Sequence, residues 1–155
     1  MKLVLRDYRP ADLETLYRID RACFEPGIAY SRRMLREFLE LPVARCHVAC
    51  LADEIVGFLI AASAGDRAHI ITIDVVESAR RSGVGSGLLA RAEEELARNG
   101  VRLVELETAT TNQTAVAFWR RHGYRIAGVC PRYYAGRIDA FLMRKPLEAP
   151  RATED

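Results

Sequence analysis

Arg80-Arg81-Ser82-Gly83-Val84-Gly85-Ser86-Gly87-Leu88-Leu89 follows an apolar, strand-like run from Ile70 to Val76. It precedes a long amphipathic run from Leu88 to Leu96. The stretch therefore reads as a strand, a Gly-rich turn carrying two arginines, and a helix start. Closely spaced glycines let a backbone approach a ligand without interference from Cβ. The first N–H groups of a helix lack intrahelical acceptors and sit at the positive end of its dipole, which suits a phosphate. Arg80 and Arg81 add fork-shaped donors beside them. Two common phosphate loops do not fit. Gly87 is followed by Leu88, where a Walker loop needs Lys and then Ser or Thr. A dinucleotide loop needs a third glycine where Leu88 stands, and needs its first glycine directly after the strand. A structural turn with exposed charges is the plain alternative, and the rest of the chain has to decide.

The chain has 155 residues, enough for one domain with a sizeable core. Half of them are apolar (50%) and 28% are charged, the balance of a globular protein. The net charge of +2 leaves no electrostatic footprint for nucleic acid as a principal ligand. No apolar run approaches a membrane span, and Met1-Lys2 leads straight into a strand-like segment. No membrane partner is expected, and the cytoplasm is the expected location. Cys23, Cys46, Cys50 and Cys130 are scattered, which argues for reduced thiols rather than a disulfide framework. Cys46 and Cys50 flank His47 but have no second ligand pair, so no metal site is expected.

Taken in order, Lys2 to Arg6 reads as a strand, and Pro10 suits a helix start. Leu13, Leu16, Tyr17, Ile19 and Cys23 recur at helical spacing up to about Phe24, and Glu25-Pro26-Gly27 breaks it. Ser31 is a good N-cap for a second helix built on Met34, Leu35, Phe38, Leu39 and Leu41. Cys46 to Ala52 and Ile55 to Ser63 read as strands joined by a turn at Asp53-Glu54. Ala64 to Arg67 reads as a loop, and His69 to Val76 as the strand before the Gly-rich turn. The following helix runs to about Arg98, where Asn99-Gly100 ends it. Val101 to Thr108 is a strand, Ala115 to Arg121 a helix, and Tyr124 to Val129 with Asp139 to Arg144 a final strand pair. The order is β-αα-βββ-α-β-α-ββ, an α/β (α+β) arrangement with one mixed sheet flanked by helices. Residues 1–147 form the expected domain, and the polar residues 148–155 a disordered tail.

The pattern Arg-x-x-Gly-x-Gly resembles the acetyl-CoA pyrophosphate loop of the GNAT acetyltransferase superfamily, and the element order is similar to its fold. The resemblance narrows further. Ala68 to Val75 with the Arg80 loop looks like the strand and loop of protein N-terminal acetyltransferases, the bacterial ribosomal-protein-alanine group and its archaeal relatives. Leu106-Glu107-Thr108, Asn112 and Ala115 to Tyr124 look like the next strand and helix. Arg132-Tyr133-Tyr134-Ala135, with Asp139-Ala140 and Met143, resembles the closing segment, and Phe24 to Ser31 more loosely resembles the substrate loop. Together the matches cover about three quarters of the chain.

The resemblance implies a site. Acetyl-CoA would be the co-substrate. The backbone of Arg80, Arg81, Ser82, Gly83, Val84, Gly85, Ser86 and Gly87 would hold its pyrophosphate, and Val75, with Ile73 beside it, its pantetheine arm. Asn112, Ala115, Phe118 and Trp119 would complete the cofactor side. Asn112 is also a plain N-cap candidate, and the two roles are compatible. Glu107 matches the ribosomal-protein group's proposed general base. An α-amine has a reference pKa of about 7.7–8.0, so a mild base suffices. Glu105 points to the same face of the strand and would raise the pKa of one carboxylate, steer a cationic amine, or sit in solvent. His69 is the next candidate base, against a structural reading. Tyr133 and Tyr134 would line the acceptor cleft, opposite Ile28 and Tyr30, with aromatic packing as the alternative. Tyr134 is also a candidate acid.

The chain departs from the family pattern in three places. Glu77 stands where Pro is usual, Gly136-Arg137-Ile138 removes two acidic residues, and Trp119 replaces the tyrosine thought to protonate the leaving thiolate. An indole N–H donates a hydrogen bond but not a proton near neutral pH. The function expected is an acetyl-CoA-dependent N-acetyltransferase, using direct attack by an amine, in particular a peptide or protein N-terminal α-amine. A small-molecule amine acetyltransferase and a non-catalytic acyl-CoA-binding sensor or subunit are the rivals. A monomer and a homodimer both fit.

Overall fold

The computed structural model describes residues 2–151. Its elements are β1 (Leu3–Asp7), α1 (Leu13–Cys23), α2 (Arg32–Glu40), β2 (Ala44–Leu51), β3 (Glu54–Ala64), β4 (Arg67–Val75), α3 (Val84–Arg98), β5 (Leu103–Ala109), α4 (Gln113–Arg121), β6 (Arg125–Tyr134) and β7 (Ile138–Pro146). Single 3-10 turns at Pro10–Asp12 and Glu77–Ala79 precede α1 and α3. The order matches the one read from the sequence. The strands form a seven-stranded mixed sheet in the order β1-β2-β3-β4-β5-β7-β6, flanked by helices. Of the expected tail, 148–151 has neither helix nor strand, and 152–155 lies outside the described residues.

The described chain divides into two compact units. The first holds the residues up to Ala62 together with Ile70–Ala92. In it β1, β2 and β3 form an antiparallel meander, with Leu3 opposite Leu51 and Val48 opposite Phe58. Ala52 and Asp53 take positive φ angles of 49° and 64°, the geometry a two-residue hairpin turn demands. The turn thus sits one residue earlier than the sequence suggests. Leu16, Ile19 and Leu35 pack their helices on Val48, Phe58 and Ile60. Ser31 caps α2 as expected, its Oγ accepting from the Met34 N–H at 3.1 Å. The joint between β1 and α1 is pinned by Arg6, which bonds both oxygens of Asp12 at 2.8 and 3.0 Å. That guanidinium, more than any other group, holds the Asp12 carboxyl below its usual range. Gly57 is needed for close approach, because a Cβ there would lie 2.7 Å from the backbone oxygen of Asp74.

The second unit holds Ser63–His69 and the residues from Glu93 onward. Arg67–His69 of β4 pair in parallel with Leu103–Glu105 of β5. The loop expected at Ala64 to Arg67 is only the turn Gly65-Asp66. β7 lies antiparallel between β5 and β6, with Glu105 opposite Arg144 and Glu107 opposite Leu142. β6 extends five residues beyond the expected Val129, so Arg132, Tyr133 and Tyr134 lie on a strand. Inside, the Tyr124 hydroxyl donates to Glu93 at 2.8 Å and Lys145 holds the other Glu93 oxygen at 2.8 Å.

Candidate active site

In the first unit, β4 ends at Val75 and the chain turns through Glu77–Ala79 into the Arg80–Gly83 loop. The helix start read within the Gly-rich stretch falls at Val84, ahead of the amphipathic run from Leu88. The Gly87 N–H donates to the Gly83 carbonyl at 2.9 Å, so Gly85, Ser86 and Gly87 form the first helical turn rather than a loop. The backbone donors of Val84 and Gly85 precede the first intrahelical bond and face out from the helix start. Gly87 also meets β1, since a Cβ there would be 3.2 Å from Leu3 Cδ2. Arg81 and Gly83 take φ angles of 64° and 84°. For an arginine this left-handed backbone costs about 1–3 kcal/mol, strain of the kind that gathers at ligand loops.

Arg80 is exposed but bonded back onto the end of β4. Its Nε donates to the Val75 carbonyl at 3.1 Å and its Nη2 lies 3.7 Å from Cys23 Sγ. It ties the loop to the end of β4; Arg81 is exposed as well. The Val75 carbonyl also accepts from the Cys23 thiol at 3.5 Å. Ser82 Oγ donates to the Ala79 carbonyl. Ile73 is half-buried on β4.

The segment between α1 and α2 carries Ile28 and Tyr30. The Ile28 N–H donates to the Glu25 carbonyl at 3.0 Å. The Tyr30 N–H donates to Asp20 Oδ2 at 2.7 Å, its hydroxyl to the Ile71 carbonyl at 3.3 Å, and its ring packs edge-on against Phe38.

In the second unit, strand register brings together what the sequence could only place on one face. His69 lies opposite Glu105, and Glu107 is two residues further on the same face. His69 Nε2 and Glu107 Oε2 are 2.5 Å apart. The hydrogen bond to Glu107 raises the His69 pKa above its ordinary value; burial opposes it, and the charges of Glu107 and Glu105 reinforce it. Glu105 does not sit free in solvent. Arg67 bonds one of its oxygens at 3.1 Å, and Arg144 the other at 3.2 Å. The two arginines offset the like charge beside Glu107. The Tyr134 hydroxyl donates to the Glu107 carbonyl at 3.2 Å, and Tyr133 stacks edge-on against Tyr134 while remaining half exposed.

On α4, Asn112 is the N-cap. Its Oδ1 accepts from the Ala115 N–H at 3.1 Å. The cap uses the oxygen and a cofactor would use the amide nitrogen, so the two readings draw on different atoms. Phe118 is half-buried, with Arg121 over its ring. Trp119 is 4% exposed, edge-on to Phe118 and to Tyr124, each at 5.1 Å.

Two sets of residues near these sites escaped the sequence reading. Strand alternation places Arg67 on the face of His69, but Arg144 reaches Glu105 only through the β5–β7 register. Asp20 and Asp74 carry no local signal that they meet.

In the first unit a Gly-rich loop opens a helix after β4, and in the second a histidine–carboxylate pair spans β4 and β5. The chain belongs to the acetyltransferase (GNAT) family, whose model matches residues 13–124, and it is an acyltransferase enzyme. It is 27% identical over 150 residues to the N-alpha-acetyltransferase of Sulfolobus acidocaldarius, covering 88% of each chain. It is 33% identical over 85 residues to the ribosomal protein bS18-alanine N-acetyltransferase of Escherichia coli, covering 53% of this chain and 57% of that one. The crystal structure of Ard1 from Thermoplasma volcanium superposes with a TM-score of 0.87 at 26% identity, covering 96% of this chain and 99% of that one. The non-catalytic reading is thereby set aside. No helix among the described residues is long and apolar enough to cross a membrane.

Proposed function

We propose that this enzyme uses acetyl-CoA to acetylate the N-terminal α-amine of a peptide or protein by direct attack. The observation that carries this reading is the His69–Glu107 pair at 2.5 Å. An α-ammonium must lose a proton before it attacks, and a carboxylate bonded to an imidazole can take that proton as one unit. The Val84–Gly85 helix start fits a pyrophosphate, and acetyl-CoA bound there supplies the thioester. Asn112 and Phe118 are the further cofactor contacts, with Ile28 and Tyr30 forming one acceptor wall and Tyr133 and Tyr134 supplying further acceptor contacts. Direct attack is supported by the thiols. Burial, and after it Asp74, pushes the Cys23 pKa up, and burial does the same at Cys46, so neither is a ready thiolate nucleophile. The relatives named for N-alpha and ribosomal-protein alanine acetylation support the α-amine as acceptor.

The test is free-thiol release from acetyl-CoA with short peptides of varied N-terminus. Controls are the same peptides with blocked N-termini and a free lysine, together with polyamines, amino acids and aminoglycosides. Turnover confined to the small amines would sink the peptide reading.

Two expectations follow from the geometry. The raised His69 pKa means that the pair holds a proton at acid pH and can accept one only as pH rises through that pKa. The acid limb of kcat should therefore lie above the reference histidine value of about 6.5. In Glu107→Gln it should move down, because the largest cause of the shift is gone. An unmoved limb in a pH–rate comparison would separate His69 from the reaction. The second concerns the loop. Gly85→Val sets a branched Cβ at the helix start, while Arg80→Ala removes a guanidinium already engaged with Val75 and Cys23. Calorimetry should show the larger loss of CoA affinity in Gly85→Val, and the reverse order would refute the backbone cradle.

A further inference from the structure

Asp20 on α1 and Asp74 on β4 meet in the interior of the first unit, 0% and 1% exposed. Each uses one oxygen conventionally. Asp20 Oδ2 accepts from the Tyr30 N–H at 2.7 Å, and Asp74 Oδ1 from the Thr72 hydroxyl at 2.5 Å. Asp20 Oδ1 and Asp74 Oδ2 are buried with no donor. The Asp20 carboxyl is, after burial, the neighbour that acts most strongly on Asp74 and raises its pKa. Two carboxylates have only acceptors to offer, and two unpaired buried charges are very costly. A single proton between the orphaned oxygens satisfies both.

We propose that Asp20 and Asp74 share one proton, and that this proton clamps the Phe24–Tyr30 segment onto β4 and so positions the acceptor wall. The consequence for the acceptor rests on the assignment of Ile28 and Tyr30 above. Asp20 holds the Tyr30 backbone, the Tyr30 hydroxyl reaches Ile71 of β4, and Cys23 reaches Val75 of β4. A loosened Asp20 therefore releases the segment where it is tied to α1. The surroundings favour keeping the proton. Burial and then Asp20 raise the Asp74 pKa, while the Thr72 hydroxyl and the Arg80 guanidinium act against them. The other titratable groups facing Asp74 are the thiols of Cys23 and Cys46, both pushed up in pKa chiefly by burial and so kept neutral. Arg80 is the cation that faces Asp74, and it is already engaged with Val75. Both aspartates are positioning residues in this scheme.

The sign follows from linkage. The folded protein keeps a proton that the unfolded chain releases near its ordinary carboxyl value, so the pair's contribution is greatest at acid pH and falls as pH rises. Asp74→Asn replaces the shared proton with an amide N–H that donates to Asp20 at every pH. Asp74→Ala leaves Asp20 without its partner. The measurements are Tm from pH 5 to 9, amide exchange over residues 24–30 by mass spectrometry, and acceptor KM with kcat on a peptide. Relative to Asp74→Asn, wild-type Tm should fall as pH rises. Against Asp74→Asn at the same pH, its Tyr30 region should lose protection at alkaline pH and its acceptor KM should be higher by about fivefold, with the two kcat values within about twofold of each other, a split that reports positioning. Asp74→Asn should lack this pH-dependent loss in all three, and Asp74→Ala should show the alkaline wild-type pattern already at pH 6. Parallel pH slopes for wild type and Asp74→Asn would overturn the shared proton, as would Asp74→Asn behaving like Asp74→Ala at pH 6. Exchange that follows the scheme while acceptor KM does not would uphold the clamp and refute the acceptor-wall assignment.

Discussion

Glu107→Gln should lower kcat by about 10²–10⁴-fold, the usual worth of a general base. The KM for acetyl-CoA should stay within about twofold. The substitution is nearly isosteric and keeps an amide oxygen facing His69 Nε2. It removes the charge that holds the imidazole in its proton-accepting pair. His69→Ala combined with Glu107→Gln should cost little more than Glu107→Gln alone, because two members of one proton-accepting unit are not additive. Glu105→Gln is the contrast. It loosens two partly exposed ion pairs, with Arg67 and Arg144, and such pairs are worth about 0–1 kcal/mol. Its kcat should fall only a few fold. Equal losses at Glu105 and Glu107 would mean that the charged ladder acts as one unit, and no loss at Glu107 would move the base role to His69.

Trp119→Ala should destabilise the fold by about 3–5 kcal/mol, the range for removing a large buried aromatic. The ring is 4% exposed, and its edge contacts with Phe118 and Tyr124 join α4 to the start of β6. Denaturant unfolding measures this directly. Trp119→Phe should lose less and keep most of the turnover, since an indole N–H cannot act as an acid and a thiol of reference pKa about 8.5 leaves readily as a thiolate. A collapse of turnover in Trp119→Phe, with stability and CoA affinity intact, would refute the packing role. Tyr134→Phe is the companion measurement, because the Tyr134 hydroxyl already donates to the Glu107 carbonyl. Loss of the alkaline limb of the pH–rate profile in that variant alone would make Tyr134 the acid.

By itself the sequence determined the element order, because apolar periodicity and punctuation are local. Alternation marks β4 and β5, Ser31 caps α2, and Asn99-Gly100 ends α3. The same local logic put a helix start in the Gly-rich stretch without fixing which residue begins α3. Glycines read as loop, yet Gly83 serves as the N-cap and Gly85 and Gly87 lie in the first turn, one of them pressed against Leu3 of β1. It also put Glu105 and Glu107 on one face, since side chains alternate along any strand. What each carboxylate touches was decided by the register of β5 against β4 and β7. That register brings Arg67 and Arg144 to Glu105 and His69 to Glu107, and a one-residue slip would turn every partner to the other face. Arg80 reads as a phosphate donor in the sequence, but its Nε is engaged by the carbonyl left at the end of β4. The Asp20–Asp74 pair was legible only in three dimensions. Neither residue sits in a motif, and the burial that makes them share a proton exists only once α1 and β4 have packed.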